Sequence, residues 1–448
     1  MNKNKKRLII IVLVLFIVVS FFSLWTLINE GYDKQNKVVL FIKKFIPTQT
    51  ARKIRDTIFI IPKLQEDNKI LKLVVEKYET NLQGKLFNEE TIKTEKNNNY
   101  KLKEFLIPFQ RINLDKGWND QANTFTKHYL ETIDDKVLLL SGAGETIYFK
   151  KANINKTELK LLEIPNNIKE IIKKNNIQSM GVRDLFLDND NKIYISLFFK
   201  GSNGYSVNVY QADVSFEQLT FEPLFVSKLF WNNFTVRTGG RISSYKDNKI
   251  LLTIGDLADE KSPQDIKSLK GKIISINKNN GEYKIISMGH RNQQGLFYLD
   301  KNDTIINSEH GPKGGDEINI NNNSIEISNF GWAISSYGTT YDDKEIYEKS
   351  HGEFGFIEPL IKYVPSIGIS QIDYYEDESK NENIIFTSSL RASSIYINKV
   401  NKTFTEVEDQ ERIYISNERI RDIKYDKETN SIFCIFESVP SFAVIKLK

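Results

Sequence analysis

Beyond about residue 104 the apolar positions come in short alternating runs, and one unit recurs along the chain. A turn of Asp, Asn and Lys leads into an apolar strand that ends in a small polar or acidic residue. The copies read DDKVLLLS from Asp134, DNDNKIYIS from Asp188, KDNKILLT from Lys246, DKNDTIINS from Asp300, ESKNENIIFTS from Glu378 and DKETNSIFCI from Asp426. Asn and Asp suit these turns because they accept the left-handed backbone angles of tight hairpins. The copies start 54, 58, 54, 78 and 48 residues apart, which leaves room for four short strands in each interval. That is the size of one propeller blade, too long for an immunoglobulin-like sandwich; a β-helix would have shorter, more regular rungs. The pattern predicts an all-β six-bladed β-propeller over residues 101–448, closed where the C-terminal FAVIKLK joins a sheet with strands near Phe105 to Phe125. The one long helical run in this part, NNIKEIIKK from Asn166 to Lys174, predicts a surface helix.

The N-terminal part follows a different pattern. Leu8 to Leu27 is twenty residues without a charge, long enough to cross a bilayer as a transmembrane helix. Lys3, Lys5, Lys6 and Arg7 precede it, which predicts a cytoplasmic N-terminus with the rest outside. A cleaved signal peptide competes, but its apolar region is shorter and ends in a small-x-small site, which is not found before Asn29. Residues 1–28 therefore read as a basic tip and membrane anchor, and 29–100 as a basic juxtamembrane segment, a stalk helix and a linker. The basic segment from Lys34 to Pro62 suits either a lipid surface or packing on the body. Leu64 to Gln83 has helix-like apolar spacing, a stalk suited to pairing in a homo-oligomer, and the polar run from Lys85 to Asn99 reads as linker.

Charge sharpens this division. Residues 1–60 carry 11 Lys+Arg against 3 Asp+Glu, while the remainder carries 51 against 55. The net charge of +4 thus belongs to the N-terminus, and nucleic-acid binding by the body is not expected. With 40% hydrophobic residues the chain can bury a sizeable core. Its single cysteine, Cys434, lies in the apolar strand SIFCIF and reads as a small core residue rather than a nucleophile.

Arginines recur at blade ends: Arg183, Arg237, Arg241, Arg291, Arg391, Arg419 and Arg421. A propeller gathers corresponding loops around one axis, so these guanidinium groups can converge on a polyanionic ligand; singly, each also reads as an exposed or paired side chain. The segments GGRISSYKDNKILLTIGD, GHRNQQGL, SEHGPKGGDEIN, NFGWA, VPSIGIS, SSLRASSIY and ERIRDIKYD, in that order, resemble the blade signatures of the glucose/sorbosone dehydrogenase family. These are six-bladed quinoproteins, and the resemblance runs from about residue 130 to the C-terminus.

The resemblance implies a sugar (aldose) dehydrogenase with pyrroloquinoline quinone (PQQ) and Ca2+ as cofactors, in the periplasm at the cytoplasmic membrane. It implies PQQ contacts from Arg291, Asn292, Arg391, Arg419 and Arg421, and calcium held by the carbonyls of Gly311 and Pro312. Asp316 and Glu317 could add a second calcium or form an acidic turn. One departure bears on activity: the family's catalytic histidine falls at Arg237, which cannot act as a base. Asp256, which would orient that histidine, is then free to pair with Arg237. His351, in the inserted loop SHGEFG, is a candidate replacement base; His290 and His310 read as structural. The alternative function is a non-catalytic propeller that binds an acidic sugar, an envelope polymer or a protein partner.

Overall fold

Each of the six repeated turns joins the first and second strands of one antiparallel sheet. In every such turn an Asp, Asn or Lys takes a positive φ: Asp134, Asn191, Lys246 with Asn248, Asp303, Asn381 and Asn430. The local chemistry of the repeat therefore builds the hairpin at the heart of each blade. The computed structural model describes residues 84–108, 127–175, 179–201, 204–227, 237–246, 248–322 and 326–447. The expected anchor, basic segment and stalk helix lie outside the described residues.

Six sheets of four or five strands follow one another along the chain. Their innermost strands are His128–Ile133, Ser179–Leu187, Gly239–Tyr245, Gln293–Leu299, Ile369–Asp377 and Ile420–Asp426. Each lies against the next and the sixth returns to the first, so the ring of blades 1 to 6 is closed. Closure comes from blade 6, where Asn99–Leu106 pairs with the C-terminal strand Ser441–Lys446 and Phe105 stands opposite Phe442. The outermost strand of that blade is Leu86–Lys93, so the run read as linker is a β-strand instead. Its outer edge is largely exposed, which gives it the polar composition of a linker.

One apolar cluster fills each of the six gaps between blades. Between blades 2 and 3, for example, Val207 and Val209 meet Ile250 and Ile274. A middle strand covered on both faces loses the alternation of a half-exposed sheet. This is why SIFCIF is buried at every position, with Cys434 in the core between blades 5 and 6. The surface helix forms at Ile168–Lys174 and buries Ile168 and Ile171 between blades 1 and 2.

Candidate functional site

The start of every innermost strand and the end of every second strand lie at the same rim of an antiparallel blade. Arg237, Arg291, Asn292, Arg419 and Arg421 stand at the first kind of position. Asp256, Gly311, Pro312 and Arg391 stand at the second. Asp316 and Glu317 open the third strand of blade 4, so the fold brings all the expected residues to one mouth.

Five of the six innermost strands are broken near that mouth by an irregular register. The breaks fall at Arg183, at Gly240 and Arg241, at Gln294, at Ser370 and Gln371, and at Arg421. A bulge re-aims side chains, and here it turns long polar residues toward the axis. Arg241 shows the result, since its Nη1 donates to Asp184 of blade 2 at 2.7 Å and to Asp422 of blade 6 at 3.1 Å. Its Nε donates to the Gln294 carbonyl of blade 4 at 2.7 Å. This ion cluster is buried, and burial pushes the Asp184 carboxyl up to about 7 despite the guanidinium beside it.

Acidic residues that follow second strands hold the loops that lead into the innermost strands. In blade 6, Glu437 is buried and accepts from Arg421 Nε at 2.6 Å and from Arg419 Nε at 3.3 Å. In blade 4, Glu309 accepts from the Arg291 amide and, at 2.9 Å, meets His290, whose other ring nitrogen meets Ser287 at 2.8 Å. His290 is therefore structural. In blade 3, Asp256 Oδ2 accepts from Arg237 Nη1 at 3.0 Å and from Trp332 Nε1 at 2.9 Å, while Oδ1 accepts from the Ala258 amide at 2.8 Å. Burial raises the Asp256 carboxyl, and the nearby Arg237 and Arg291 charges oppose that rise. Glu260 adds a second contact to Arg237 at 3.3 Å.

The calcium residues do not fit their expected role. Arg291 Nη1 donates to the Gly311 carbonyl at 2.6 Å and to the His310 carbonyl at 3.0 Å, so the Gly311 carbonyl already accepts from a guanidinium. Asp316 is buried and accepts from the amides of Gly311, Gly368 and Ile369, so it organises loops. Glu317 faces His351 Nε2 at 3.3 Å. Among the described residues no group of three or more His, Cys, Asp and Glu is placed to hold a metal. His351 cannot replace the missing base, because it is buried with Nδ1 facing the Phe330 carbonyl at 3.0 Å and Ser335 Oγ at 2.9 Å. Its role is to fasten the inserted loop to blade 4.

Asn292 is buried beside the axis, where its Oδ1 accepts from Gln294 Nε2 at 3.0 Å. Arg391 is exposed, with its Cβ and backbone packed so closely over Gly368, at a φ of +65°, that no side chain fits there. Sequence reasoning missed Trp332 as a site residue, although NFGW was in view; the Arg291 guanidinium lies 5.2 Å from its ring. It also missed Asp184, Asp422, Glu309 and Glu437, and for the last two the signal was the acidic end of the repeat itself.

Fold and mouth together define a closed six-bladed propeller with a guanidinium-lined axial entrance. The family model described as Glucose / Sorbosone dehydrogenase matches residues 132–439, and the chain belongs to that family. It is 26% identical over 203 residues to Aldose sugar dehydrogenase YliI of Escherichia coli K12, a match covering 42% of this chain and 53% of that protein. An uncharacterized Synechocystis protein, slr1608, is 26% identical over 211 residues, covering 42% and 50%. These matches thus span about half the length of each relative. Among solved structures, the apo soluble aldose sugar dehydrogenase of E. coli superposes with a TM-score of 0.58 at 19% identity, covering 72% of this chain and 95% of that one. The PQQ-bound aldose sugar dehydrogenase of Streptomyces coelicolor gives 0.53 at 18% identity, covering 78% and 98%. At these identities the superpositions speak to the fold.

Proposed function

We propose that this chain is a membrane-anchored sugar-dehydrogenase-type propeller that holds an anionic quinone at its mouth but lacks the proton acceptor for sugar oxidation. The observation that carries this reading is the contact of Arg237 with the buried Asp256, which Trp332 also holds. A guanidinium at that position keeps its proton at ordinary pH, so it cannot receive the hydroxyl proton of a sugar. Arg391, Arg419, Arg421, Arg291 and Asn292 are the groups that would hold the carboxylates of PQQ. Bound there, PQQ supplies a hydride acceptor. Anchoring rests on the uncharged run Leu8 to Leu27 with its preceding basic residues, and it places the propeller outside the cytoplasmic membrane.

A second reading, an active aldose dehydrogenase, is favoured by the family match and by the order of its motifs. Dye reduction with added PQQ and a panel of aldoses separates the two. The intact protein is expected to show no sugar-dependent turnover, and Arg237→His to gain about 100-fold or more over that background, as Asp256 is placed to orient the new imidazole. Sugar turnover by the unaltered protein at the level of Arg237→His would discard the non-catalytic reading.

A further inference from the structure

At the mouth between blades 6, 1 and 2, positive charge exceeds what the described residues neutralise. Arg183 and Arg421 occupy bulges in equivalent positions on the innermost strands of blades 2 and 6. Arg421 and Arg419 share Glu437. Arg183 has no carboxylate partner among the described residues. Its guanidinium stacks 5.3 Å from the Phe198 ring, and its Nε is buried without a hydrogen bond.

Lys127, which enters the innermost strand of blade 1, completes the sector. Its backbone carbonyl accepts from Gly142, whose own carbonyl accepts from Val182, so the backbone of Lys127 and that of Val182, the neighbour of Arg183, are held to the same residue. Its ammonium has no hydrogen-bonded partner among the described residues. Burial lowers the pKa of Lys127 well below its usual value, and the Arg421, Arg183 and Arg419 charges lower it further against the pull of Glu437. Three cations, Arg419, Arg421 and Lys127, thus act on the one carboxylate of Glu437, and Arg183 adds a fourth positive charge beside Lys127 and Arg421. A buried donor without a partner and an excess of like charge both favour a bound anion over water.

We infer that Lys127 and Arg183 form a subsite for an anionic group carried on the sugar, a carboxylate or a phosphate monoester, so that the ligand of this propeller is an acidic sugar. The inference rests on the family reading of the mouth, and deepens it by naming the ligand class. Arg183 supplies directed N–H groups and Lys127 a mobile charge, a combination that accepts either anion.

Titration calorimetry of the full chain without quinone tests this, with glucuronate, glucose 6-phosphate, glucose and inorganic phosphate as probes. Saturable binding of glucuronate or glucose 6-phosphate is expected, at least tenfold tighter than glucose and than phosphate alone. Whichever of the two acids binds more tightly identifies the anion. Lys127→Gln and Arg183→Gln should each weaken that binding about tenfold, Arg183→Lys should keep most of it, and Arg412→Gln, on the outer strand of blade 5, should change nothing. Thermal melts check that Arg183→Gln is folded, and Lys127→Gln serves in its place if it is not.

Equal affinity for glucose and both acids, binding of phosphate as tight as of the acidic sugars (an adventitious anion only), or no effect of the two variants would overturn the inference. A separate PQQ titration keeps the two ideas apart. Quinone binding without acidic-sugar binding removes this inference and leaves the family reading. Acidic-sugar binding that depends on Lys127 and Arg183, without quinone binding, does the reverse.

Discussion

Two sectors of the same mouth treat their charges in opposite ways. On the blade 3 and 4 side the charges are largely met from within: Arg237 lies on Asp256 and Glu260, Asp256 also holds Trp332, and Arg291 Nη1 donates to two carbonyls, although its buried Nε has no hydrogen bond. On the blade 6, 1 and 2 side one buried carboxylate, Glu437, serves Arg419 and Arg421, while Arg183, which meets Tyr129, and Lys127 have no carboxylate of their own among the described residues. A propeller supplies equivalent positions around one axis, and what differs from blade to blade is whether the partner charge is built in. The first sector is a finished salt bridge. The second carries the charge that the proposed anion would meet.

The largest effect is expected where the two sectors meet. Replacing Arg241 by Gln leaves Asp184 and Asp422 buried without their shared cation, which should cost about 3–5 kcal/mol in urea unfolding. The loss should shrink at pH 5 relative to pH 8, because both carboxyls can then be protonated in the folded protein. Equal destabilisation at the two pH values would contradict the assignment of this cluster as the electrostatic pin of the ring.

A smaller effect concerns the loop that backs the saturated sector. Burial opposes the charge on His351, but Glu317 more than offsets this and raises its pKa above the usual histidine value. A raised folded pKa stabilises fully below the unfolded value of about 6.5 and is lost as pH rises through the folded value. The melting temperature should therefore fall over that window, and His351→Gln should remove this part of the pH dependence. An unchanged profile in the variant would mean that the loop is fastened by something else.

The smallest effect tests one of the hairpin turns that every blade carries. Asn191 has a φ of +58°, so Asn191→Ala should cost about 1 kcal/mol while Asn191→Gly stays near neutral, read by thermal unfolding. A neutral alanine would show that the turn does not require the left-handed conformation.

The blades were legible in the sequence because hairpin turns are local: Asp134, Asn191, Asp303, Asn381 and Asn430 advertise their backbone angles through residue type. The outer hairpin of blade 6 was not, since an exposed edge strand such as Leu86–Lys93 carries the composition of a linker. The arginines were visible as residues, and so was the pairing of Arg237 with Asp256, but the other partners were not. Asp184 reaches Arg241 through a bulge, a register shift that no local pattern encodes, and Glu437 meets Arg421 only after the second strand folds back. The adjacent acids Asp316 and Glu317 suggested metal binding, whereas the fold spends one on backbone amides and the other on His351.

The central claim, that the mouth is an anion site with its base position closed, is tested most directly by titrating PQQ into the intact chain and into Arg391→Gln. Arg391 is exposed at the mouth, so its replacement leaves the buried ion pairs in place. The account predicts saturable one-to-one binding that weakens about tenfold in the variant. Absence of saturable binding, or equal affinity in the two proteins, would contradict it.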